Sequence, residues 1–154
     1  MKPCVKAPPW TDSYCLGISE VDREHRGLFA ALNDLSAAMS SADWPTVRRI
    51  LQVIPKDAAK HFRREERLMQ RARFSGLEWH RKQHTTARKR IEVLVEAALL
   101  DGTPHCEAVL AYFRAFLPMH IKVHDRMMSA SLRNFARWRS LPRARRWRLS
   151  SFLA

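Results

Sequence analysis

The sequence predicts an all-α fold, an up-down-up-down four-helix bundle, on three observations. Only four of the 154 residues are glycine, and long stretches carry no turn residue at all. Apolar residues recur at alternating steps of four and three in four separate stretches, the spacing of one buried helix face. The segments between those stretches are short and hold Ser, Asp, Gly and Pro, which suits antiparallel neighbours. A chain of this length, 46% hydrophobic and 28% charged, can bury one real core.

Residues 1–18 read as an extended arm. Pro3, Pro8 and Pro9 oppose a helix there, and Trp10 and Tyr14 are large enough to anchor the arm on a core. The bundle follows over 19–131. Ser19-Glu20-Val21-Asp22 resembles a capping box at the start of the first helix. Its seam is Val21, His25, Leu28, Leu32, Leu35 and Met39. After a turn at 40–45, Asp43 should cap the second helix, with Pro45 in its first turn. That helix runs to about Ala72 on a seam of Ile54, Ala58, His61, Glu65 and Leu68. Glu66 is turned away from this seam and reads as an outer residue.

Ser75-Gly76-Leu77-Glu78 has the form of a second capping box. The third helix then carries Leu77, His80, His84, Ala87, Ile91, Leu94 and Ala98 inward and ends at Asp101-Gly102. Thr103 and Pro104 open the fourth, as N-cap and first helical residue. Its inner face holds Val109, Leu110, Phe113, Phe116, Leu117 and His120, and the helix is free to run past Met128 toward Pro142.

The net charge of +13 is unevenly spread: residues 126–154 hold eight arginines and no acid, so +8 of it lies there. From residue 132 the chain reads as a basic tail, with Arg133, Arg137, Arg139, Arg143, Arg145, Arg146 and Arg148 among Phe135, Trp138, Trp147 and Phe152. Such a tail can remain solvated, pack its tryptophans on the bundle, or meet an anionic membrane, an acidic protein or nucleic acid. No apolar run approaches the length of a membrane span, and no apolar segment follows Lys2 and Lys6 as a signal peptide requires. Cys4, Cys15 and Cys106 are few and scattered, which fits neither a disulfide framework nor a thiolate metal site. A cytoplasmic, monomeric protein is the expectation.

The inner seams carry the chemistry. His25, His61, the pair His80 and His84, and His120 put imidazole from every helix into the core; Glu65 joins them, and Asp125 lies five residues after His120. One seam histidine is ordinarily a hydrogen-bonded core residue. Five together with carboxylates would carry a desolvation cost that only a cation offsets. Imidazole and carboxylate without thiolate suit iron, manganese, copper or zinc. Seven donors are too many for one ion and suit two ions bridged by carboxylates. His105, near a helix start, reads as a surface residue. Helical spacing favours His124 as the donor that follows His120, because the five-residue step to Asp125 turns about 140° around an α-helix.

Over roughly residues 10–130 the chain resembles the hemerythrins, most of all the single-domain bacterial ones. The residues that carry the likeness are Trp10, Tyr14, Gly17-Ile18, Val21-Asp22, Glu24-His25, Leu28-Phe29 and Asn33. They continue with His61-Phe62, Glu65-Glu66, Met69, His80-x-x-x-His84 and His120-Ile121-x-x-x-Asp125. The resemblance implies an oxo- or hydroxo-bridged pair of iron ions. One would take His80, His84 and His120. The other would take His25 and His61 and keep an open position for O2. Glu65 and Asp125 would bridge them, a local widening of the helix bringing Asp125 round in place of His124. Leu117 matches the family's apolar O2-pocket residue. Phe116 stands where relatives often have Trp, Phe74-Ser75 where Tyr-Pro is common, and Ala87 for a frequent Phe. Reversible, non-enzymatic O2 binding for transport, storage or sensing is therefore expected. The alternatives are a di-iron oxidase, peroxidase or nitric-oxide-handling enzyme, and an oxygen- or iron-responsive module acting through the tail.

Overall fold

The computed structural model describes residues 6–140. Four helical stretches form an antiparallel bundle, and no strand occurs among the described residues. Helix α1 spans Ser19–Ser40, α2 Trp44–Arg71 and α3 Leu77–Asp101. The fourth stretch is composite: α4 covers Thr103–Met119, a π-helical turn covers His120–Asp125, and α5 covers Arg126–Ser140. Helical dihedrals at Met119, His120 and Arg126 keep these three parts on one continuous path. Each helix packs on the next, and α4 returns to α1.

The predicted seams face inward. All six seam residues of α1 are buried, as are Ile54, Ala58, His61 and Glu65 of α2. Leu68 is only half-buried; Phe62 and Met69, at 3% and 0% exposure, take the deeper places. On α4, Val109, Leu110, Phe113 and Leu117 are buried, and Phe116 is partly covered.

Helix entry differs from expectation at three points. Neither Ser19 nor Ser75 caps: Ile18 and Gly76 hold the N-cap positions and make no side-chain cap. Asp22 turns instead toward the incoming arm, accepting from the N–H of Leu16 at 2.7 Å and of Gly17 at 3.1 Å. Gly17, at φ +74°, supplies the left-handed turn that folds those two amides over the carboxylate. Helix α4 includes Thr103, one residue earlier than expected, because Gly102 at φ 79° and ψ −140° takes the cap position. Asp43 does cap α2, accepting from Thr46 N–H at 3.2 Å.

The arm is anchored as its aromatics predict. Trp10 meets Phe29 edge-on at 5.4 Å, and Tyr14 stacks on Phe29 at 5.1 Å. A short 3-10 turn, Asp12–Tyr14, interrupts its extended course. Two arginines hold it from the far end of the chain: Arg126 donates to the Ser13 carbonyl at 2.7 Å, and Arg133 to the Leu16 carbonyl. Helix α5 therefore runs through residue 132, where Leu132 is buried, and on to Ser140. The rest of the basic stretch, with Arg143, Arg145, Arg146, Trp147, Arg148 and Phe152, lies outside the described residues. Among the described residues no helix is long and apolar enough to cross a membrane. Cys15 and Cys106 are unpaired.

Candidate metal centre

Seven side chains from all four helical stretches meet in the middle of the bundle. His25, Glu65, His80 and Asp125 are 0% exposed, His84 and His120 are 1%, and His61 is 2%. Their donor atoms form two sets that share both carboxylates, the atoms of each set lying within 4.8 Å of one another. One set is His80, His84 and His120 with Glu65 and Asp125; the other is His25 and His61 with the same two carboxylates.

The carboxylates are split between the sets oxygen by oxygen. Glu65 Oε2 lies 3.2 Å from His84 Nε2 and 3.7 Å from His80 Nε2. Its Oε1 lies 3.5 Å from His61 Nε2 and 3.8 Å from His25 Nε2. Asp125 Oδ1 faces His120 and His80 at 3.1 and 3.2 Å, and Oδ2 faces His25 at 3.3 Å. Each carboxylate thus spans the two sets, as a bridge must.

A metal fits these donors. Neither oxygen of Glu65 or Asp125 makes a hydrogen bond, nor does either nitrogen of His25, although all are buried. Such atoms are costly to leave without a partner. The Nε2 atoms of His80 and His84 are 3.1 Å apart, and those of His84 and His120 are 3.2 Å apart. Ligands about 2.1 Å from one ion at right angles to each other lie about 3 Å apart. Bare nitrogens at that separation repel unless a cation or a proton lies between them.

The π-helical turn makes this possible. Arg126 N–H reaches back five residues to the Ile121 carbonyl, so the backbone takes a wider turn here. His120 and Asp125, which an ordinary α-helix would splay, both turn inward, while Lys122 and Val123 stay exposed. Pro118, two residues before this turn, has no N–H to give the helical ladder.

Residues 16–140 match the hemerythrin HHE cation-binding domain. The chain belongs to the hemerythrin family. It is 32% identical over 116 residues to a myohemerythrin of Riftia pachyptila, covering 75% of this chain and 86% of that protein. A hemerythrin-like protein of Naegleria gruberi is 30% identical over 116 residues, with the same coverage of both chains. A bacteriohemerythrin of Stenotrophomonas maltophilia (strain R551-3) is 29% identical over 82 residues, 53% of this chain and 54% of its own. Hemerythrins are known for binding O2 at a di-iron site.

Around this hemerythrin centre, the outward nitrogens of three imidazoles have partners. His61 Nδ1 meets Glu24 at 3.2 Å, His84 Nδ1 meets Glu66 at 3.0 Å, and His120 Nδ1 meets His124 Nδ1 at 3.0 Å. Arginines hold the carboxylates in turn, Arg64 on Glu24 at 2.7 Å and Arg81 beside Glu66 at 3.8 Å. Glu66 is therefore not the uninvolved outer residue expected. Its off-seam position hides the role, because it reaches sideways from α2 to the back of an α3 histidine. Its one sequence signal is a carboxylate directly beside a seam carboxylate. His124 joins neither donor set, and His105 lies apart from both.

Electrostatics keep the two shared carboxylates charged. Burial, and the neighbouring Asp125, oppose ionisation of Glu65, but His61, His80 and His84 outweigh both and lower its pKa. Asp125 is likewise held well below the usual range against its burial, by His120 first. Burial pushes the His84 pKa down, which favours the neutral ring, with one bare nitrogen for a metal. Burial also works against a charged His80, yet Asp125 and Glu65 raise its pKa to about 9, so a proton is what an incoming ion displaces there. Aromatic faces close the walls: Phe62 stacks on His84 at 4.2 Å and Phe116 on His120 at 4.7 Å.

Proposed function

We propose that the centre holds two iron ions and binds O2 reversibly, for transport, storage or sensing. The observation that carries this reading is the unequal partition of donors around shared carboxylates. His80, His84 and His120 would complete one ion with Glu65 and Asp125. His25 and His61 would serve the other with the same two carboxylates, one imidazole fewer, which would leave that ion room for O2. An iron pair of this kind supplies reversible two-electron chemistry toward O2.

The protein's part is to hold and shield. Glu65 and Asp125, each shared by the two donor sets, would hold the two ions together. Glu24 and Glu66 accept hydrogen bonds from Nδ1–H of His61 and His84, so both rings offer Nε2 inward. Leu117, 2% exposed and three residues before His120, serves as an apolar wall of the O2 pocket. With Phe62 and Phe116 it keeps water from a site where water would help oxidised iron persist. No step in this role needs a second substrate, which separates it from an oxidase or peroxidase.

Anaerobic loading with ferrous iron followed by air should give two irons per chain and a visible absorption band that fades on deoxygenation. His61→Ala and Glu65→Ala should each abolish the band. Two bound irons without a reversible band would sink the O2 reading, and fast turnover of peroxide would replace it with an enzymatic one.

A further inference from the structure

His124 is buried beside the centre, at 8% exposure, yet belongs to neither donor set. The Nε2 of His120 faces Asp125 at 3.1 Å and His84 at 3.2 Å, so Nε2 is the nitrogen it offers inward. A neutral imidazole that offers Nε2 carries its proton on Nδ1. That Nδ1 lies 3.0 Å from Nδ1 of His124. His120 therefore donates, and His124 must present a bare Nδ1 with its own proton on Nε2. Trp79 closes over His124 edge-on at 4.8 Å and 76°, which holds the acceptor ring in place.

The three hydrogen-bonded imidazoles are not served alike. His61 and His84 donate to carboxylates, Glu24 and Glu66, whereas His120 donates to a neutral ring. An ionised acceptor pulls harder on the proton and makes the imidazole a stronger electron donor to its ion. We propose that His124 is a positioning residue, which fixes the tautomer and tilt of His120 and keeps it the weakest donor of the three. This rests on the iron reading above. The four-residue step that made His124 look like a ligand in the sequence instead sets it against the ligand.

The full chain, loaded anaerobically with ferrous iron, is compared with His124→Leu, His124→Asn and His124→Asp, after circular dichroism of each metal-free chain. Iron affinity is read by competition with a chelator. The Nδ1 protons are read as exchangeable, iron-shifted proton resonances. His124→Leu should weaken one of the two ions by roughly 10–100-fold and lose or move one exchangeable resonance while those of His61 and His84 stay. His124→Asn, with an amide oxygen in the place of Nδ1, should restore most of that affinity. If the Leu variant does not fold, the other two decide: the resonance must move further for Asp than for Asn. Unchanged affinity with unmoved resonances overturns the proposal. So does lost affinity with every resonance unmoved, because packing alone would do that. A wild-type chain that holds two irons without a reversible band ends the O2 reading and leaves the His124 comparison decisive. A wild-type chain that takes up no iron overturns both.

Discussion

At the scale of single residues, the residues of the centre separate into those that show in the helical spacing and those that do not. His25, His61, Glu65, His80, His84 and His120 stand on helix seams, where a polar side chain is out of place among apolar neighbours. Their convergence was legible from spacing alone. Glu24 and Glu66 were not, because each leaves its helix sideways and acts on a histidine of another helix. Periodicity reports which way a residue points, not how far a glutamate reaches. The two should be separable by experiment. Glu66→Gln should weaken the ion held by the three-imidazole set, and Glu24→Gln the other, each by roughly 10–100-fold. Chelator competition on the two variants, with ferrous iron, checks this. Equal loss at both ions in both variants would mean that the carboxylates act through overall charge instead.

At the scale of elements, the π-helical turn is the feature that strict helical spacing misreads. Five residues separate His120 from Asp125, and only a widened turn brings both inward. Its position was readable through resemblance and not through period, since a π turn has no composition of its own. The widening takes up one extra residue, so α5 keeps the phase of a continuous helix. Deleting Val123, 49% exposed, should leave a plain α-helix with α5 in place and Met128 and Leu132, 0% and 6% exposed, still buried. The stability of the metal-free chain, measured by urea unfolding, should stay at or above that of wild type. A loss of more than about 2 kcal/mol would show that the core had opened and that α5 depends on the turn. The failed capping boxes teach a similar lesson: Ser19 and Ser75 satisfy the pattern, but Asp22 accepts from amides of the arm and Glu78 from Arg81.

At the scale of the whole molecule, four seams and three short turns sufficed to give the bundle and its order. What they could not give was how the arm is fastened, because Arg126 and Arg133 are far from it in sequence and look like ordinary surface charge. The buried polar centre also makes the fold dependent on its cargo. Glu65, Asp125 and His25 have no hydrogen-bond partner in the core, so an ion there removes a cost that folding otherwise carries. With ferrous iron a hundredfold above its dissociation constant, each site should add about 2.7 kcal/mol. For a chain of this size each site raises the melting temperature by roughly 5–10 °C, and the two together by roughly 10–20 °C. Anaerobic calorimetry before and after chelation checks the shift, and identical melting curves would count against occupation of the site.

The two arginine bonds join residues 113 and 117 positions apart, whereas each helix pair closes through a short turn. In kinetic terms, hairpins of neighbouring helices can form early and the arm must dock late. Interactions made after the transition state govern how slowly a protein opens, not how fast it folds. Arg133→Ala should therefore leave the refolding rate almost unchanged and speed unfolding, as stopped-flow chevrons would show. The fastening of the arm then sets the lifetime of the closed protein, and with it how long a buried metal stays out of reach of a chelator.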